Sequence, residues 1–216
     1  MTAILFDLDG TLLNTLEDLT DATNATLCHF GCPQRSMEEV RNFVGNGAER
    51  LIRLALPRKD NDPEVSEVLS WYKDFYAAHS QIKTRPYNGV LEALQAVKEA
   101  FPVAVVSNKP DNATKLLCKQ YFGDVFALGE SSLCPRKPAP DMVRQAMAAI
   151  GADSCIYVGD SEVDVLTAKN ASVPCLSVLW GFRDQGDMIE AGGKCFCHDP
   201  ADLVQILVKM ENEYGK

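Results

Sequence analysis

Two aspartates separated by one residue follow the first apolar run of this chain, Asp7-Leu8-Asp9, with Gly10 and Thr11 directly behind them. Further polar groups recur downstream. Ser107-Asn108-Lys109 ends a second apolar run, Lys137-Pro138 lies in a loop ahead of a helix-like stretch, and Gly159-Asp160 is followed four residues later by Asp164. Taken singly, each has an ordinary explanation. Aspartates ahead of a glycine form turns, a serine caps a helix, Ser161 with Asp164 fits a capping box, and a loop lysine is usually solvated. Taken together, and in this order, they are the parts needed to move a phosphoryl group.

A phosphate monoester is anionic and repels an anionic nucleophile, so attack by a carboxylate requires cations to cancel charge. Asp7 and Asp160 offer hard oxygen ligands for Mg²⁺, which accepts one or two carboxylates together with water and substrate phosphate. Asp164, one helical turn past Asp160, lies on the same face and either holds a metal-bound water or orients Lys137. The metal and Lys137 would share the charge of the transferring group, while the Ser107 hydroxyl and nearby backbone N–H groups grip its oxygens. Asp7 is the expected nucleophile, passing through an aspartyl-phosphate. Asp9 is the expected general acid toward the leaving alkoxide, and then the base that activates water. Gly10 permits the tight turn that brings both carboxyls to one place. Gly10, Thr11 and Asn108 are expected to bind substrate. Arg41, just ahead of Gly45-Asn46-Gly47, is expected to meet a second anionic group such as a carboxylate, with a surface salt bridge as the alternative.

These groups need a frame that gathers them. Ala3 to Phe6 reads as a strand, Leu16 to Phe30 as a helix stopped at Gly31, and Ser36 with Glu39 as a capping box for a helix through Val44. Ala48 to Leu56 and Pro63 to about Lys83 are two more helices. From Pro86 the rhythm alternates: helices at Gly89–Ala100, Asp111 (as cap) to Tyr121, Pro140–Ile150 and Ser161–Asn170, with strands at Val103–Val106, Val125–Leu128, Cys155–Val158 and Cys175–Leu179. Short apolar strands between helices predict an α/β fold, a Rossmann-like doubly wound parallel sheet covered on both faces. The helical block is most simply an all-helical cap, residues 16–83, inserted in a core of 1–15 and 84–216. Ligands of such sheets bind beyond the carboxyl ends of the strands, which is where the polar motifs fall.

Composition bounds the alternatives. The 216 residues are 46% hydrophobic and 24% charged, with a formal net charge of −9, a balance that suits a globular core and opposes nucleic acid and anionic membranes. No run of 18 apolar residues or secretion-signal pattern is present, so a cytoplasmic enzyme is expected, monomer or homodimer. Eight cysteines then default to reduced thiols. Cys28 with Cys32, or Cys195 and Cys197 with His198, match no standard zinc spacing.

The four motifs, Asp7-Leu8-Asp9-Gly10-Thr11-Leu12, Ser107-Asn108-Lys109, Lys137-Pro138 and Gly159-Asp160 with Asp164, resemble those of the haloacid dehalogenase-like hydrolases, across nearly the whole chain. The resemblance implies a Rossmann-like core, a helical cap, Mg²⁺ and the aspartyl-phosphate route, with a metal site of Asp7, Asp9, Asp160 and Asp164. It also implies that Asp9 contacts the metal through its backbone carbonyl. The dehalogenases themselves lack an acid at the Asp9 position, which disfavours dehalogenation. Val40-Arg41-Asn42-Phe43-Val44-Gly45-Asn46-Gly47, followed by Glu49-Arg50-Leu51-Ile52, resembles the phosphoglycolate phosphatase branch, so a small phosphorylated metabolite, 2-phosphoglycolate first, is the expected substrate. Two positions depart from that branch: Asn14 stands where an aspartate is usual and Asn88 where a second proline is common, both at expected hinge strands. A phosphosugar mutase or a pyrophosphatase of the same superfamily, and a phospho-accepting receiver module, are the competing readings.

Overall fold

The structure is a computed structural model that describes residues 1–57, 64–132 and 134–214. In chain order it begins with β1 (Thr2–Phe6) and a two-residue β2 (Leu13–Asn14). Four helices follow: α1 (Leu16–His29), α2 (Met37–Phe43), α3 (Gly47–Ala55) and α4 (Glu64–His79). A second short strand, β3 (Arg85–Pro86), pairs antiparallel with β2. The alternating part then runs α5 (Val90–Ala100), β4 (Val103–Pro110), α6 (Asp111–Phe122), β5 (Phe126–Glu130), α7 (Asp141–Ile150), β6 (Ser154–Gly159), α8 (Glu162–Ala171) and β7 (Cys175–Val178). It closes with α9 (Gln185–Glu190), β8 (Cys195–Cys197) and α10 (Leu203–Tyr214).

Six strands form one parallel sheet in the order β5-β4-β1-β6-β7-β8. The side-chain period of two divides β1 cleanly between the sheet's faces. Ile4 and Phe6 join a core with Val90, Leu94 and Val97 of α5, Leu117 of α6 and Leu207 of α10. Ala3 and Leu5 face the other way, onto Met142, Val143 and Ala146 of α7 and Ala168 of α8. Every large side chain removed from water in these layers stabilises by about 1.5–3 kcal/mol, and both layers converge on β1, which places Asp7 at the middle of the sheet. Helices α1 to α4 bury a separate core of their own, including Leu27, Val40, Ile52, Val68 and Tyr72.

The local signals are realised where the chemistry is local. Ser36 and Glu39 form the expected capping box, and α1 ends ahead of Gly31, whose φ is +67°. Three readings change. Asp111 does not cap α6: Pro110 holds that position, and the Asp111 carboxylate instead accepts the Gly129 N–H and pairs with Lys115. The helix expected to reach Lys83 stops at His79, because Lys83 and Thr84 must donate their N–H groups to the Asp18 carboxylate to bring the chain back to β3; its expected start at Pro63 lies outside the described residues. Beyond Leu179, α9, β8 and α10 complete the fold with elements that the sequence reading left unassigned.

Candidate active site

Asp7 follows the last residue of β1, and its N–H continues the ladder by bonding the Val158 carbonyl at 2.8 Å. Parallel neighbours on both sides bring the other motifs to the same edge: Ser107, Asn108 and Lys109 on β4, Gly159 and Asp160 at the end of β6. Asp7, Asp9, Ser107, Asn108, Lys109 and Lys137 line one cavity. Its opposite wall comes from the helical block, chiefly Val44, Ala48, Leu51, Tyr72 and Tyr76.

Lys137 is the hub. Its Nζ lies 2.8 Å from Asp7 Oδ1 and 2.8 Å from Asp164 Oδ1, and donates to the Tyr157 hydroxyl at 3.1 Å. The Asp7 oxygen is charge-paired by this contact, but it receives no well-aligned hydrogen bond. Burial alone would lower the Lys137 pKa, yet the Asp164 and Asp7 carboxylates hold it well above its ordinary value. The lysine therefore stays charged. Asp164 meets Lys137 through one oxygen, and its second oxygen accepts the Ser161 N–H and hydroxyl.

Asp160 is held from two directions, by the Thr11 hydroxyl at 3.0 Å and the Phe182 N–H at 2.7 Å. Thr11 thus sits behind the metal-type carboxylate rather than on the cavity surface. Gly10 has φ +88°, and a Cβ there would stand 2.2 Å from Asp160 Oδ2; only glycine lets β1's turn pass so close.

Asp7, Asp160 and Asp164 each offer a carboxylate oxygen, and these oxygens all lie within 4.8 Å of one another. Burial pushes the Asp7 carboxyl up to about 8, Lys137 pulls it back, and Asp164 and Asp160 add to the rise. Burial likewise pushes Asp160 up to about 7, with Asp164 adding to it and the Phe182 and Thr11 bonds opposing. Carboxylates buried this close together, two of them raised first by burial and then by their acidic neighbours, suit a hard divalent cation, which would relieve the repulsion. These residues fit such an ion.

Asp9 has a different partner. Both its oxygens accept from Lys109 Nζ, at 2.7 and 3.0 Å, and the ammonium lies 4.8 Å from the centre of the Tyr76 ring. Asn108 ties the site to the helices: it accepts from the Lys137 N–H and donates to the carbonyls of Lys137 and Gly45. The Ser107 hydroxyl accepts the Lys109 N–H at 3.2 Å.

Arg41 is placed elsewhere. Its Nε donates to the Phe182 carbonyl and its guanidinium lies 3.6 Å from Asp184, so it meets the loop after β7 and not the cavity. Arg183 returns the contact, donating to the carbonyls of Arg41, Asn42 and Val44. The Phe182 ring sits in the core of the helical block. Lys109, Tyr157, Phe182 and Arg183 were not singled out by sequence. Only Lys109 carried a signal, its place in the Ser107 motif; the others matter through contacts far away in the chain.

A sheet of this order with these four motifs at its carboxyl edge defines the architecture of one enzyme class. The sequence profile of haloacid dehalogenase-like hydrolases matches residues 4–178, and the chain belongs to that family. A phosphoglycolate phosphatase of Rhodobacter capsulatus is 34% identical, covering 84% of this chain and 85% of that protein. One from Vibrio parahaemolyticus is also 34% identical, with 94% and 95% covered. Among solved structures, a protein proposed to be a phosphoglycolate phosphatase from Lactobacillus delbrueckii subsp. bulgaricus superposes with a TM-score of 0.87 at 33% identity, over 100% of this chain and 99% of that one. The branch is phosphoglycolate phosphatase-like and the activity class phosphoric monoester hydrolase. Among the described residues no helix is long and apolar enough to cross a membrane.

Proposed function

We propose that the protein is a Mg²⁺-dependent phosphatase of a small phosphorylated acid, 2-phosphoglycolate first, acting through an aspartyl-phosphate on Asp7. One observation carries the reading: Asp7 is a buried carboxylate on the cavity floor, 2.8 Å from Lys137 and clustered with Asp160 and Asp164. Asp7, Asp160 and Asp164, with the Asp9 carbonyl that the family resemblance adds, would hold the ion. When bound, it supplies positive charge to the phosphoryl oxygens and to the nucleophile.

The residues then divide the work. Asp7 attacks phosphorus as the bond to the substrate's ester oxygen breaks, and Asp9 gives its proton to that oxygen. Asp9 next takes a proton from the water that attacks the aspartyl-phosphate, releasing inorganic phosphate and restoring Asp7. Lys137 and the Ser107 hydroxyl hold phosphoryl oxygens in both steps. The helical block 16–83 acts as a cap over the core 1–15 and 84–216, excluding bulk water while the phosphoryl group moves. His29, the last residue of α1 and the side chain there that could serve a mutase as acid/base, stacks on Trp71 and meets Phe30 edge-on; it does not line the cavity, which favours hydrolysis.

The test is phosphate release from phosphorylated acids, sugars, nucleotides and pyrophosphate, with Mg²⁺ and with EDTA, beside Asp7→Asn. Metal-dependent turnover that is greatest for 2-phosphoglycolate and absent in the variant supports the reading. Turnover that survives Asp7→Asn overturns the covalent route.

A further inference from the structure

The helical wall of the cavity carries two phenols that the chemistry above leaves unused. Tyr72 and Tyr76 stand one turn apart on α4, with rings stacked 5.7 Å apart and 3° between their planes. They are 2% and 3% exposed, and both line the cavity that holds Asp7. The Tyr76 hydroxyl is buried with no hydrogen-bond partner, and Tyr72 makes no hydrogen bond among the described residues either. A hydroxyl as buried as that of Tyr76 normally finds a partner, and leaving it without one is destabilising. The Lys109 ammonium over the Tyr76 ring accounts for the ring face but not for the hydroxyl. Phenylalanine would pack equally well beside Leu19, Val44 and Leu51, so packing alone does not explain two tyrosines.

A second observation meets them across the same space. Helix α3, nine residues long, starts at Gly47, and its N-cap Asn46 makes no side-chain hydrogen bond to the first turn. Gly47 and Ala48 line the cavity, where the free N–H groups of a helix start favour an oxygen acceptor. No arginine or lysine of α1 to α4 lines it among the described residues. Lys109 and Lys137 come from the core and are engaged with Asp9 and with Asp7 and Asp164. Arg41 is engaged with the Phe182 carbonyl and Asp184.

We propose that Tyr72 and Tyr76, with the N–H groups at the start of α3, bind the oxygen-bearing end of the substrate remote from its phosphate, so that a carboxylate is recognised by neutral donors and not by a cationic side chain of the cap. This deepens the phosphatase reading and rests on it. Burial pushes both phenols well above their ordinary pKa, so they remain protonated donors. A neutral subsite discriminates by leaving its own donors unpaired when the acceptor is missing, the strongest form of selectivity that a small pocket has.

The experiment compares kcat/KM for 2-phosphoglycolate and for methyl phosphate, which lacks the distal carboxylate, in wild type, Y72F, Y76F and the double variant. Thermal melts confirm that each variant folds. The ratio of the two kcat/KM values falls about tenfold or more in the double variant, the size of one hydrogen bond lost. A ratio unchanged within about twofold, or an equal loss on both compounds, overturns the assignment. If wild type hydrolyses neither compound, the 2-phosphoglycolate reading has failed; calorimetric binding of the same two compounds to wild type and double variant then decides the phenols by the same criterion.

Discussion

Lys109 Nζ bonds both carboxylate oxygens of Asp9, at 2.7 and 3.0 Å, in a pair whose lysine side chain is 2% exposed and whose aspartate side chain is 13% exposed. The ammonium lies against the Tyr76 ring on its other side. A residue of β4 thus holds the proposed acid/base in place while touching the helical wall. Each partner is next to useless alone, since removing one leaves a nearly buried charge without compensation.

Lys109→Met is therefore expected to cost about 3 kcal/mol of folding stability in chemical denaturation and to lower kcat about 100-fold. The double change Asp9→Asn with Lys109→Met recovers most of the stability and none of the turnover. Equal stability of the single and double variants would count against a coupled pair.

Metal-free protein is expected to lose stability as pH rises. Burial first, then neighbouring carboxylates, raise Asp7 to about 8 and Asp160 to about 7, against an ordinary 3.8. The folded state therefore holds protons that the unfolded chain has released. Their stabilising contribution is complete below about pH 4 and disappears as pH passes through 7 to 8. Mg²⁺ competes with those protons, so its effect on Tm grows from pH 5 to pH 8. Melting curves in EDTA and in Mg²⁺ at the two pH values check this; a Tm in EDTA that does not fall would contradict it.

Arg183→Met removes donors to three carbonyls at the end of α2 and beyond, at 2.7, 3.4 and 2.6 Å. The side chain is 11% exposed, so the loss is expected to be about 2 kcal/mol. KM for the substrate rises more than kcat falls, because the wall carrying Val44 and Ala48 loses its anchor. Steady-state kinetics with unaltered KM would detach this loop from the cavity.

Gly10→Ala puts a methyl group where Asp160 Oδ2 stands, at a backbone angle that suits glycine. The carboxylate must move, and a displacement of that size is expected to cost about 100-fold in turnover. Added Mg²⁺ restores little of it. Wild-type activity in this variant would show that Asp160 is free to shift.

Much of the site was legible because each motif joins a residue type to a strand end. An apolar run fixes where a strand stops, and a parallel sheet brings all such stops to one edge, so Asp7, Ser107 and Asp160 could be grouped without coordinates. Capping boxes at Ser36 and Ser161 are likewise local chemistry. Asp111 misled for the opposite reason: its acidic side chain fits an N-cap locally, but the neighbouring strand's Gly129 N–H offered a better use. Arg41 was read from the loop beside it, whereas its direction depends on α2's rotation against the segment after β7.

The sequence by itself determined the order of the motifs, the alternation that makes the sheet, and the acids and lysine gathered at its edge, since all of these follow from periodicity and residue type. Only the tertiary structure decided who pairs with whom. That Asp164 takes Lys137, that Lys109 takes Asp9, that Phe182 and Arg183 tie the loop after β7 to the helices, and that Tyr72 and Tyr76 line the cavity with the Tyr76 hydroxyl unpartnered are all consequences of packing between segments tens of residues apart. Such contacts depend on distance and direction in space, and no local spacing encodes them.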